Sequence, residues 1–131
     1  MPTKKRSSKL STREKALLIA RVAFQKKPLD PLLLDVGGSC SFADFFLILS
    51  GSSTRQTQAL AGHLEETLNK LGIRPRGLEG VESGHWILMD YGEVIVHIFY
   101  EPVRGFYDLE GLWIEAPRLP LPSDDSKAKV S

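Results

Sequence analysis

The sequence predicts a single α/β domain, a mixed five-stranded sheet flanked by helices. Three observations carry that expectation. The 131 residues, 42% of them hydrophobic, suit one domain with a sizeable buried core. Two short continuous apolar runs, at 32–36 and 45–49, read as strands covered on both faces rather than half in water. The hydrophobic period then alternates between helix-like and strand-like in the order α-β-β-α-β-β-β-α, with no internal repeat.

The elements follow in order. Residues 1–11 are polar and basic without an apolar period and read as a disordered arm. Ser11 and Glu14 have capping-box spacing, and Leu17, Leu18, Ala20, Val22 and Phe24 continue a helix over about 12–27 that ends before Pro28. The two apolar strands come next, bounded by Pro31, Gly37-Gly38 and Ser50-Gly51. Leu60, Leu64, Leu68 and Leu71 recur at helical spacing, which predicts a helix over about 54–71. Ser53 is its N-cap, Gln56 completes a second capping box, and Gly72 is the left-handed C′ residue. Gly77–Gly80 is at most an edge strand. His85–Asp90 and Glu93–Phe99 read as a hairpin turning at Tyr91-Gly92, with Trp86, Leu88 and Asp90 on one face of its first strand. Pro102 starts an amphipathic segment that continues through Val103, Phe106, Tyr107, Leu109 and Leu112 to Trp113. Residues 117–131, Pro-rich and then polar, read as a disordered tail, which leaves 12–116 as the domain.

The formal net charge of +1 is a cancellation. Residues 1–27 hold nine Lys or Arg against Glu14 alone, a net of +8, whereas residues 77–116 hold eight acids against Arg104 alone, a net of −7. Such asymmetry bears on partners more than on fold. The basic arm could add salt-dependent contacts to nucleic-acid phosphates, or it could be a solvated tail. The acidic segment would repel RNA and DNA but suits a basic protein, and Trp86 and Tyr91, in or beside it, are residue types that anchor interfaces, although core packing is the commoner use of each.

Signals for catalysis are weak. A single cysteine, Cys40, excludes an internal disulfide framework and a multi-cysteine zinc site. Gly51-Ser52 lies between a strand and a helix N-terminus, where backbone amides could hold an anion; ordinary helix capping is the plainer reading. A nucleotidyltransferase would add two acids one residue apart on the following strand, and none stand there. No phosphate-binding Gly-Lys-Ser/Thr and no Gly-x-Ser-x-Gly elbow is present. His63, His85 and His97 are not spaced as metal ligands, and a His97 inside an apolar strand is expected to be a buried, hydrogen-bonded side chain. No catalytic, metal or cofactor residues are therefore assigned. An enzyme that binds or transfers nucleotides on the same fold stays open as the alternative.

Particular blocks carry a resemblance. Leu34-Asp-Val36, Ser41-Phe-Ala-Asp44-Phe-Phe, Ser50-Gly-Ser-Ser-Thr-Arg55-Gln, Leu78-Glu-Gly80, the stretch from Trp86 to Phe99, and the stretch from Phe106 to Trp113 stand in the order and spacing of the Iojap-related ribosomal silencing factor family. The likeness runs from about 12 to 113. The resemblance implies a nucleotidyltransferase-like fold without the catalytic acids. It also implies a translational repressor, active in nutrient limitation, that binds the large ribosomal subunit through ribosomal protein L-fourteen and sterically blocks joining of the small subunit. For oligomeric state the resemblance implies either a monomer or a homodimer. Joined to the charge map, it gives an expected contact patch of Trp86, Leu88, Asp90 and Tyr91, with Glu93 and Glu101 at the rim, and a weak ribosomal RNA contact by the arm. No apolar stretch approaches the ~20 residues that span a bilayer, and no secretory pattern follows the N-terminus, so the expected location is the bacterial cytoplasm. Residues 1–27 also look somewhat like a transit peptide, with chloroplast or mitochondrion as the alternative.

Overall fold

The computed structural model describes residues 10–121; most of the expected arm (1–9) and of the expected tail (122–131) lies outside the described residues. The elements are α1 (Thr12–Phe24), β1 (Leu29–Asp35), β2 (Phe45–Gly51), α2 (Thr54–Lys70), β3 (Gly77–Glu79), β4 (Trp86–Asp90), β5 (Val94–Tyr100), α3 (Glu101–Tyr107) and α4 (Leu109–Leu112). They form one mixed five-stranded sheet in the order β1-β2-β5-β4-β3. Only the central pair β2/β5 is parallel; β1/β2, β4/β5 and β3/β4 are antiparallel. Among the described residues no helix is long and apolar enough to cross a membrane.

The sheet separates two cores of different thickness. Strand alternation sends Leu33, Phe45, Leu47, Leu49, Ile87, Met89, Val94, Val96 and Ile98 to one face, where Ala16, Ile19, Ala20 and Ala23 of α1 and Leu60, Leu64 and Leu68 of α2 cover them. The other face carries Leu34, Phe46, Ile48, Ile95 and Phe99. There it is covered only by the loop holding Val36, Cys40 and Ala43 and by Val103, Leu109, Trp113 and Ala116 around α3 and α4. β2 is buried along its whole length, as a continuous apolar run requires.

Several expectations are corrected. α1 ends at Phe24 rather than near residue 27, because Lys27 turns to φ +52°. Its capping box does form: Ser11 Oγ accepts the Glu14 amide at 3.0 Å and Glu14 accepts the Ser11 amide at 2.9 Å. The second box forms only by half. Ser53 Oγ accepts the Gln56 amide, but the Gln56 carboxamide oxygen accepts the amide and hydroxyl of Ser52 instead. Pro31 does not bound β1 but lies within it, beside a bulge between Leu29 and Leu32 on the sheet edge, where its missing N–H costs little. The hairpin turn is Gly92-Glu93, since Tyr91 and Val94 still pair through a 2.9 Å hydrogen bond. The last helix is two short ones, broken where Asp108 adopts φ +51°. Finally, residues 117–119, read as the start of a tail, lie along the β1 edge: Asp35 donates to the Pro117 carbonyl, Leu119 donates to the Leu33 carbonyl, and Leu119 is buried.

Candidate functional site

Backbone amides at the start of α2 are the natural place to seek bound phosphate. In this chain three of the amides in this turn are already taken. The Ser52 amide donates to Gln56 Oε1 at 2.7 Å, the Gln56 amide donates to Ser53 Oγ at 3.0 Å, and the Thr57 amide donates to the Ser53 carbonyl. Gly51 is packed close: a Cβ there would stand 2.9 Å from Thr57 Cγ2 and 3.1 Å from the Thr57 amide nitrogen. The turn is thus built as a self-filled helix cap. Among the described residues no group of three or more His, Cys, Asp or Glu could hold a metal ion.

The histidines lie apart. His63 Nε2 meets Gln25 Oε1 at 2.8 Å, tying α2 to the end of α1. His85 is exposed at the start of β4, near Tyr100. His97 is buried on the thinly covered sheet face, as its apolar strand predicts, and burial pushes its pKa down to about 4. Its Nδ1 accepts the Trp86 indole N–H at 3.1 Å, while its Nε2 has no partner among the described residues. Burial without a partner costs such a group about 1–3 kcal/mol. Cys40, on the 36–44 loop, is buried against the thin face.

The thin face also borders a concavity. A groove of about 410 Å³ runs between the start of β4 and α3, walled by His85, Trp86, Tyr100, Val103, Phe106 and Tyr107. Trp86 is half-buried, with its ring centroid 4.8 Å from Phe99 and 5.0 Å from Tyr107. The covering loop and short helices leave large apolar side chains in water: Phe106 is 81% exposed, and Phe42, Tyr107, Leu112 and Ile114 are also exposed. Exposed aromatic side chains that wall a groove, as Phe106 and Tyr107 do, mark an interaction site more often than a fold requirement.

The six expected contact residues do not form one patch. Trp86 and Leu88 stand together on the thin face, on alternate positions of β4. Asp90 follows them at the strand end, where a carboxylate oxygen accepts the Gly92 amide at 2.8 Å and fixes the turn. Glu101 opens α3 between the groove residues Tyr100 and Pro102 and is exposed. Tyr91 is corrected: it is 1% exposed and belongs to the thick core on the opposite face, with its hydroxyl unpartnered and its pKa raised to about 12 by burial and then by the Glu65 charge. Glu93 sits away at the hairpin tip. Lys15 Nζ donates both to its carboxylate at 3.2 Å and to the Tyr91 carbonyl at 2.6 Å. A hydrogen bond from its own backbone, then the one from Lys15, hold the Glu93 carboxyl below its ordinary range.

Two groups of residues were missed from the sequence. Phe106 and Tyr107 supply a wall of the groove, and only the placement of α3 reveals it. Glu79 pairs with Leu88 across β3/β4 and therefore shares its face, exposed, so it is a further acid beside Trp86. Reading Gly77–Gly80 as an antiparallel partner of β4 would have found it.

Comparison with known proteins fits this geometry. The family described as "Ribosomal silencing factor during starvation" matches residues 9–131. A Halalkalibacterium halodurans protein named "Ribosomal silencing factor RsfS" is 38% identical over 112 residues, covering 86% of this chain and 96% of the relative. "Protein Iojap, chloroplastic" of Arabidopsis thaliana is 32% identical over 111 residues, 84% of this chain and 46% of the relative. A crystal structure of a Bacillus halodurans protein superposes with a TM-score of 0.72 at 37% identity, covering 82% of this chain and 99% of the other. The chain belongs to the ribosomal silencing factor family.

Proposed function

We propose that this chain is a translational repressor that docks on the large ribosomal subunit through ribosomal protein L-fourteen and blocks joining of the small subunit, lowering translation when nutrients are scarce. The observation that carries the reading is the aromatic groove at Trp86, edged by exposed apolar side chains and by the acids Glu79 and Glu101. Apolar burial in the groove supplies the binding energy, and acids at the rim steer a basic ribosomal protein. Steric exclusion needs no catalysis. In the turn that a nucleotide phosphate would use, the Ser52 amide is already taken by Gln56 Oε1. The relatives named as ribosomal silencing factors support the reading. Its place would be at ribosomes in a bacterial cytoplasm, with the basic arm as a secondary contact to ribosomal RNA.

The test is a gradient of purified subunits with and without the pure protein. The protein is expected to co-sediment with the large subunit and to keep the two subunits apart without added nucleotide. Trp86→Ala is expected to weaken large-subunit binding by about 2 kcal/mol, the scale of an interface hot spot. Subunits that join normally in the presence of excess protein would refute the function. A folded Trp86→Ala variant that binds as well as wild type would refute the groove as the docking site.

A further inference from the structure

His97 poses a question that packing alone does not answer. It lies on β5 with Ile95 and Phe99 on the same face, where an aliphatic or aromatic residue would fill the volume without burying a polar atom. Its Nε2 has no partner among the described residues. What the imidazole does have is one directed contact, the 3.1 Å hydrogen bond at Nδ1 from the Trp86 indole. An indole N–H only donates, so Nδ1 must be the bare nitrogen and Nε2 must carry the proton.

The register explains why this pair meets. Trp86 is opposite Phe99 and Leu88 is opposite His97, so Trp86 and His97 are diagonal neighbours on one face of the β4/β5 ladder. The other neighbours of the Trp86 ring, Phe99 at 4.8 Å and Tyr107 at 5.0 Å, hold it by contact without direction. The hydrogen bond is what turns the N–H edge of the indole into the sheet. The groove then meets the apolar part of the ring, and a partner needs no acceptor for the indole.

We propose that His97 is a positioning residue for docking, accepting the Trp86 indole N–H so that the ring stands preorganised in the groove; this rests on the docking reading given above. A half-exposed tryptophan left free to rotate would lose that freedom on binding, and fixing it beforehand removes the cost.

The test uses the full chain and two readouts. In nitrogen-15 spectra, the Trp86 indole N–H, identified by its absence from Trp86→Phe, is expected to exchange with water more slowly than an exposed indole. The His97 nitrogen shifts are expected to show a protonated Nε2 and a bare Nδ1. In binding to purified large subunits, His97→Leu is expected to lose about fivefold in affinity, the scale of one hydrogen bond. His97→Asn, which keeps an acceptor near the Nδ1 position, is expected to recover much of that loss. In a Trp86→Phe background His97→Leu is expected to have no further effect on affinity. A protonated Nδ1 in the wild-type protein overturns the proposal, and this holds even where His97→Leu fails to fold. So does a folded His97→Leu whose indole exchange and affinity match wild type while Trp86→Ala still binds poorly. If Trp86→Ala binds normally, the docking reading fails instead, whatever the nitrogen spectra show.

Discussion

At the scale of single residues, two buried polar groups set the pH and substitution behaviour of the fold. Burial lowers the His97 pKa from 6.5 to about 4, so between those values the unfolded chain binds a proton that the folded chain refuses. The associated stability is complete above about pH 6.5 and is lost as the pH falls toward 4, about 3 kcal/mol over the whole window. Denaturant titrations of wild type and His97→Asn between pH 4 and 7 are expected to show a slope in the first that is largely absent from the second. Equal slopes would mean that carboxylates alone carry the acid sensitivity. Tyr91 is the complementary case. Its hydroxyl is buried without a partner, so Tyr91→Phe is expected to leave stability unchanged or to raise it by about 1 kcal/mol. Because the ring lies in the thick core, that variant is also expected to bind large subunits like wild type. A loss of binding in folded Tyr91→Phe would restore Tyr91 to the contact surface.

At the scale of elements, what the sequence discloses is what local physics decides. The Ser11–Glu14 box, the length of α2 and the wholly buried β2 each depend on residues within a few positions of one another, and each was legible. So was the pairing of Trp86 with Leu88 on one face, since strand alternation is a period of 2. The same alternation would have sent Tyr91 inward with Ile87 and Met89. The error lay in reading residue type ahead of position. The break at Asp108 was not legible, because the apolar spacing runs straight through it and a non-glycine residue seldom turns left-handed. Arg104 fixes the position of the two short helices. Its Nε donates to Glu110 Oε2 at 3.0 Å, and its Nη1 donates to the Asp30 carbonyl at 2.7 Å and to Ser50 Oγ at 2.8 Å, so the one base of the acidic segment fastens α3 and α4 to β1 and β2. Arg104→Ala would leave a mostly buried carboxylate unpaired and is expected to destabilise the fold by about 2–3 kcal/mol in denaturant titration. The double change Arg104→Met with Glu110→Leu is expected to cost less than Arg104→Ala alone, because no buried charge is stranded. Since α3 walls the groove, Arg104→Ala is also expected to weaken subunit binding at temperatures where it is still folded.

At the scale of the whole molecule, the fold sorts the charge that the sequence only divides by position. Part of the acidic segment is spent internally: Glu110 on Arg104, Asp90 on its own turn, and Glu93 on Lys15 of the basic helix. Glu79 and Glu101 remain exposed near the groove without an ion-pair partner among the described residues. Exposed charges beside an apolar contact act chiefly on encounter, over a screening length of about 8–10 Å at physiological salt, whereas a buried aromatic acts on residence time. The two kinds of residue therefore separate in kinetics. Glu79→Lys combined with Glu101→Lys is expected to slow association with large subunits several-fold at low salt, with little change in dissociation. That difference should shrink as salt is raised toward about 0.5 M. Trp86→Ala is expected to speed dissociation at every salt concentration and to leave the association rate nearly unchanged. Time-resolved binding of labelled protein to purified large subunits distinguishes them. If the charge reversals act mainly on dissociation, these acids make close contacts within the interface and not at its rim. If they change nothing at low salt, the acidic character of the segment has no part in docking, and the groove alone must account for recognition.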